Sequence, residues 1–203
     1  RIVEVIEPGA GRVDPPCRWY GTCGGCDFQH LAYDAQLDAK EAILSDALER
    51  IGGIGVYPPI QRFAAPEPFG SRSRVELHSD PATGAVGFFA RRSTQVIDID
   101  RCMVCRPELQ QAMTTVRASR RPRPQSIHLL GAAGVVHSSP VIPPIEGGPF
   151  WISIGGLDYL VHPAGFFQSS LDLLPAMIER VTASSGPERG AAWDLYSGVG
   201  LFS

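Results

Sequence analysis

The sequence predicts an α+β protein built of antiparallel hairpins with a few helices. Short runs of alternating apolar and polar residues, separated by turn residues, recur from Arg74 onward. Helical periodicity is confined to stretches near residues 34–51, 107–117 and 171–183. The last segment, A-A-W-D-L-Y-S-G-V-G-L-F-S, reads as an apolar strand running into a glycine turn.

Taken in order, residues 1–16 begin as an alternating strand and end in Pro and Gly, as the close of an upstream element and a linker would. A cysteine-rich loop follows. From Asp34 to Ile51 the residues Leu37, Leu44, Leu48 and Ile51 share one helical face, with Asp34 as N-cap and Gly52-Gly53 as the stop. A Pro-rich connection over 56–70 leads to a hairpin, Arg74–His78 and Ala85–Phe89, turned by D-P-A-T-G. Gln95–Asp100 forms a further strand, and Pro107–Arg117 a short helix. Hairpins are expected around G-A-A-G within 126–137 and around Gly155-Gly156 within 151–161. The last helix covers Leu171–Ala183, where Pro175 is tolerated only in the first turn.

Composition narrows the function. At 203 residues and 44% hydrophobic content the chain can bury a core, and it holds no apolar run near the ~20 residues of a membrane span. The start at Arg1 and the end at Ser203 suggest a fragment or a partly ordered protein. Five cysteines cannot all pair as disulfides, which favours metal or chemistry in a cytoplasmic chain. A net charge of −3 argues against nucleic-acid binding, but the charge is uneven. Eleven arginines face six acidic residues between Arg62 and Arg123. That excess is either a solvated face or a phosphate-contacting surface.

Two motifs carry chemistry. Cys17, Cys23 and Cys26 fall within ten residues, and Cys102 and Cys105 form a distant C-x2-C pair. The two C-x2-C pairs could close a tetrahedral zinc site, although zinc ribbons space their pairs by ~15–20 residues. Alternatively, C-x5-C-x2-C with a remote fourth thiolate suits an iron–sulfur cube, and spacing leaves the two level. At the other end, D-L-Y-S-G-V-G lets a ligand approach backbone where a strand ends. It lacks the third glycine of a dinucleotide fingerprint, so a nucleoside ligand such as S-adenosylmethionine fits better.

In order along the chain, four stretches resemble the RNA uracil-C5 methyltransferases, the S-adenosylmethionine-dependent enzymes that make 5-methyluridine. They are D-P-P-C-R-W-Y-G-T-C-G-G-C-D-F-Q-H-L-A-Y-D-A-Q-L-D-A-K, G-F-F-A-R-R-S-T-Q-V-I-D-I-D-R-C-M-V-C-R-P-E-L, H-P-A-G-F-F-Q-S-S and D-L-Y-S-G-V-G-L-F-S. The resemblance implies a small β-barrel (TRAM-like) domain ending within 1–14. It implies a cluster-bearing central domain of antiparallel hairpins with a helix over 15–163, and the start of a Rossmann-like class I methyltransferase domain over 164–203. It further implies that Cys17, Cys23, Cys26 and Cys102 hold a [4Fe-4S] cluster, with Cys105 a small buried hydrophobe. In that pattern Gln168, Tyr196, Gly198 and Gly200 hold S-adenosylmethionine, and Leu201 departs from the asparagine that many members carry.

The family reaction adds a cysteine thiolate to C6 of uracil, methylates C5 and removes the C5 proton with a base. The resemblance places that nucleophile and base beyond Ser203, so residues 1–203 are expected to be inactive alone. No electrons change hands in this chemistry, which makes the cluster a structural clamp. The implied partner is RNA, ribosomal RNA more than transfer RNA, and Arg72, Arg74, Arg91 and Arg92 beside Phe88 and Phe89 are either its contact surface or solvated arginines flanking core aromatics. No membrane partner is expected, and the protein should be a monomer. The competing reading is a non-catalytic RNA-binding module stabilised by zinc or a cluster.

Overall fold

The computed structural model describes residues 4–184, 190–191 and 193–203, the side chain of Ser184 excepted. The chain divides into two compact units, Arg1–Ala64 and Ala65–Ser203.

The first unit is loop-rich. Residues 11–13 pair with 30–32 through Val13 N–H to the His30 carbonyl (2.9 Å) and Ala32 N–H to the Gly11 carbonyl (2.8 Å). Helix α1 runs Tyr33–Asp46 and continues as one π-helical turn, Ala47–Ile51. The expected extent to Ile51 therefore holds, and Gly53 closes the helix in the left-handed region at φ 65°. The N-cap is Ala32 rather than Asp34, which sits in the first turn, where a carboxylate favours the helix dipole. None of α1 is buried, and Ile43 and Leu44 stand exposed. Of the expected opening strand, Arg1–Val3 lie outside the described residues, and Glu4–Ile6 form no strand.

The second unit is a six-stranded sheet in the order β3-β2-β1-β4-β5-β6, with a separate hairpin β7-β8. Its strands are β1 (Arg74–Ser79), β2 (Val86–Phe89), β3 (Val96–Asp98), β4 (Ser126–Ala132), β5 (Val135–Ser139) and β6 (Glu146–Gly147). The second hairpin joins β7 (Phe150–Ile154) to β8 (Leu157–Val161). Helices α2 (Pro107–Ala118) and α3 (Leu174–Ser184) complete the unit, with Pro175 in the first turn of α3 as expected. All three expected hairpins form. The β4–β5 and β7–β8 turns use left-handed pairs, Ala133-Gly134 and Gly155-Gly156, the backbone that a two-residue hairpin loop demands.

Alternation decides the layers. Val75 and Leu77 of β1 stand opposite Leu129 and Ile127 of β4, and all four are buried on one face. Helix α2 lies against β4 and β5 with Leu109, Ala112, Met113 and Val116 buried at its 3.6-residue period. On the opposite face, Leu130 and Ala132 join Ile152, Ile154, Tyr159, Val161, Phe167, Leu174 and Leu201 in a second apolar cluster. That cluster draws on the β4 end of the sheet. The β1–β2–β3 end of this face carries Arg74, Glu76, His78 and Phe89 instead.

One expected strand does not form among the described residues. The described residues of 190–203 are turns and coil, with Trp193, Leu195 and Tyr196 exposed. A strand of a parallel sheet needs a neighbour for its N–H and C=O groups, and no described residue pairs with this segment.

Candidate functional site

Each predicted cluster or donor residue falls on a turn or a loop. In the first unit Cys17, Cys23 and Cys26 are half-buried in consecutive turns, closed by Tyr20 N–H to the Cys17 carbonyl (3.0 Å) and Cys23 N–H to the Trp19 carbonyl (2.8 Å). The Gly25 N–H points at Cys23 Sγ at 3.4 Å, a donor that favours a thiolate. Around them the Tyr20 hydroxyl donates to the Asp27 carbonyl (2.7 Å) and lies 2.5 Å from His30 Nδ1. The five cysteines form no disulfide.

In the second unit Cys102 opens a tight turn, with Cys105 N–H donating to its carbonyl at 3.1 Å. A hydrogen bond from the Cys105 thiol pulls the Cys102 thiol down to about 6; the Val104 and Cys105 N–H groups and Arg72 add to this, against partial burial. Cys105 is buried at 3% exposure, as a packed thiol should be. These surroundings fit thiolate ligands. Among the described residues, however, no three Cys, His, Asp or Glu side chains are grouped to hold a metal ion.

The sequence reading missed Gln110. From the second turn of α2 its Oε1 accepts the Cys102 N–H (3.1 Å), and its Nε2 donates to the Cys102 carbonyl and to that of Cys105. A side chain that reads backbone leaves no residue pattern in its target, so no signal in the sequence marks it.

The loop is also tied to the predicted donor site. Residues 70–73 bond the Cys102 loop through Gly70 N–H to Met103 O (3.0 Å), Arg72 N–H to Val104 O (2.8 Å) and Arg106 N–H to Arg72 O (2.9 Å). The same stretch holds 168–170: the Ser73 N–H and Oγ both donate to the Ser169 carbonyl, at 2.7 and 2.9 Å. Gln168, half-buried, stands at the start of that segment. One short backbone stretch thus carries both the Cys102 turn and Gln168.

The glycine turn is left-handed at Tyr196 (φ 63°), Gly198 (59°) and Gly200 (76°). A Cβ at Gly198 would meet nothing within 4 Å, so the backbone there is open to a ligand. Tyr196 projects fully into solvent. Leu201 is buried in the second apolar cluster together with Phe167, the neighbour of Gln168, and Val199 packs beside them. The apolar neighbours of Gln168 and of the turn therefore share one core, a fit to a small ligand held at its rim. The departure from asparagine expected at Leu201 is thus a core side chain.

Of the predicted RNA-contacting residues, Arg74 is half-buried and gives its Nε to the Pro163 carbonyl at 3.2 Å, which makes it part of the fold. Arg72, Arg91 and Arg92 are exposed. Phe89 stacks on His78 with ring centroids 3.7 Å apart and planes within 8°. No described helix is long and apolar enough to cross a membrane.

No protein-family model matches the chain. A sequence relative from Halomonas elongata, named 23S rRNA (uracil(1939)-C(5))-methyltransferase RlmD, is 41% identical over 119 residues, which is 57% of this chain and 24% of the relative. A protein of Thermosynechococcus vestitus named an uncharacterized RNA methyltransferase is 34% identical over 126 residues, 61% of this chain and 28% of its own length. The chain thus spans well under two thirds of the relatives it matches. In fold it is similar to the Pyrococcus abyssi tRNA (uracil-54, C5)-methyltransferase, solved in complex with S-adenosyl-L-homocysteine. That likeness has a TM-score of 0.69 at 22% identity and covers 98% of this chain and 57% of the other. The expected resemblance to RNA uracil-C5 methyltransferases is borne out.

Proposed function

We propose that this chain is part of an S-adenosylmethionine-dependent methyltransferase acting at C5 of a uridine in ribosomal or transfer RNA. One observation carries the reading: relatives in sequence and the neighbour in fold are, by name, RNA methyltransferases, and uracil C5 recurs among them. Ribosomal RNA is the favoured substrate, because the relatives named for one act on it.

Gln168, Tyr196, Gly198 and Gly200 are the proposed contacts to the methyl donor. When bound, that donor supplies an electrophilic methyl group. The Gln168 carboxamide offers paired donors and acceptors for its polar groups, the open backbone of the glycine turn admits it closely, and the Tyr196 ring can cover it. None of the five cysteines is assigned as nucleophile, and residues 1–203 alone are expected to transfer no methyl group.

Cys17, Cys23, Cys26 and Cys102 are the proposed ligands of a [4Fe-4S] cluster. Its role would be mechanical. Fixing the Cys102 turn fixes residues 70–73, and those residues hold the segment that begins at Gln168. The anaerobically purified chain should contain iron and acid-labile sulfide in equal amounts, and zinc without sulfide would sink the cluster.

The decisive assay uses the full-length gene product that carries this sequence. Incubated with methyl-labelled S-adenosylmethionine and unmodified ribosomal or transfer RNA transcripts, it should yield 5-methyluridine on nucleoside mass spectrometry. Methylation of another base atom, or no transfer to either RNA, would overturn the reading.

A further inference from the structure

On the face of the sheet opposite α2, the end formed by β3, β2 and β1 is hollowed by a cavity of about 420 Å³. It is lined by the stacked pair His78 and Phe89 and by Val96 of β3. Its polar lining includes the carboxamides of Gln95 and Gln125, the Thr94 hydroxyl and Asp80. Resting on the reading that the substrate is RNA, we propose that this cavity is a subsite for one unpaired nucleobase.

The chemistry selects a base over other ligands. Parallel aromatic rings with amide groups at the rim suit a flat heterocycle that stacks through its face and hydrogen-bonds through its edge. The lining contains Asp80 and no arginine or lysine, so it repels a phosphate. Asp80 is held ionised by the Thr83 hydroxyl (2.7 Å) and the Ala82 N–H (2.9 Å), which keep its carboxyl below the usual range. Positive charge lies just outside. The β2–β3 turn, closed by Ala90 N–H to the Gln95 carbonyl (2.8 Å), exposes Arg91 and Arg92 before Thr94 and Gln95 enter the lining. A single-stranded nucleotide fits this polarity, with its base in the cavity and its phosphates against the turn.

The test compares two fluorescein-labelled single-stranded RNA decamers by anisotropy, one with all its bases and one with abasic sites at its four central positions. The phosphates are the same in both. The chain should prefer the base-bearing decamer by about tenfold, which is the scale of one base–aromatic stack. Phe89→Leu keeps the apolar volume and removes the ring, and it should abolish that preference. The double variant Gln95→Ala with Gln125→Ala alters two exposed side chains and should cut the preference severalfold, so it decides the question if Phe89→Leu does not fold. Arg91→Ala with Arg92→Ala should weaken both decamers equally and flatten the salt dependence. Equal binding of both decamers by the unaltered chain would overturn the subsite and leave the RNA reading standing. Binding of neither would overturn both.

Discussion

The two units are stabilised in different ways. In the second, α2 and two opposite faces of a sheet bury more than a dozen apolar side chains, Leu77, Leu109, Ile127, Leu129 and Leu130 at 0% exposure. Among the described residues of the first, Gln29 alone is buried, and its turns are held by hydrogen bonds and exposed ion pairs. Arg62, for example, bridges Asp38 at 2.6 Å and also Glu41, and Arg50 bridges Asp46 at 2.7 Å. Exposed pairs of this kind contribute little, because water and salt screen them. A unit so small, without a core, needs a staple, and small domains find theirs in disulfides or metals. The three clustered cysteines lie in the unit that lacks a core.

The contrast can be broken most sharply at those cysteines. Cys23→Ser with Cys26→Ser, or chelation of the proposed cluster, should abolish protease resistance and amide protection throughout residues 4–64 while protection in β1, β4 and α2 persists. Undiminished protection in 4–64 would show that this unit stands without a metal. In the second unit Leu77→Ala should cost about 3 kcal/mol, as a fully buried leucine does, read from the denaturant midpoint of that unit. Leu201→Asn should cost about 2 kcal/mol by placing an amide in the second apolar cluster. No loss of stability there would mean that Leu201 does not pack as described.

The smallest effect concerns pH. Arg117 holds the Asp98 carboxyl below its usual range, and the Ser126 hydroxyl does the same for Glu76 at 2.5 Å. A depressed carboxyl pKa adds stability above the unfolded value near 4, and that stability is lost as pH falls through the folded value. Asp98→Asn should therefore flatten the acid limb of the stability curve of the second unit. At neutral pH it should cost under about 1 kcal/mol, because the Asp98 side chain is half exposed. An unchanged acid limb would assign the pH dependence to other groups.

Local signals made the hairpins and helices legible. The turn pairs Ala133-Gly134 and Gly155-Gly156 have one low-energy backbone solution, and the apolar period of 107–117 points one face inward wherever the helix packs. The glycine turn at Gly198 and Gly200 and the spacing of Cys17, Cys23 and Cys26 were equally plain, because each is a property of neighbouring residues. Non-local bonds were not legible. The strand expected before the glycine turn has alternation and apolar residues, yet a strand exists only where another chain segment satisfies its backbone. That Arg74 gives its Nε to the Pro163 carbonyl was equally hidden, because charge alone does not say which way a side chain on a strand faces.

By itself, then, the sequence determined the local conformations, the chemical resources and the resemblance to RNA uracil-C5 methyltransferases. The tertiary structure alone decided which resources meet. It placed the Cys102 turn and the Gln168 segment on either side of residues 70–73, set Gln110 on the Cys102 backbone, and stacked His78 on Phe89 over an open cavity. The physical reason is that these contacts are backbone hydrogen bonds and ring stacking between residues distant in sequence. Such contacts constrain geometry and leave almost no mark on residue type.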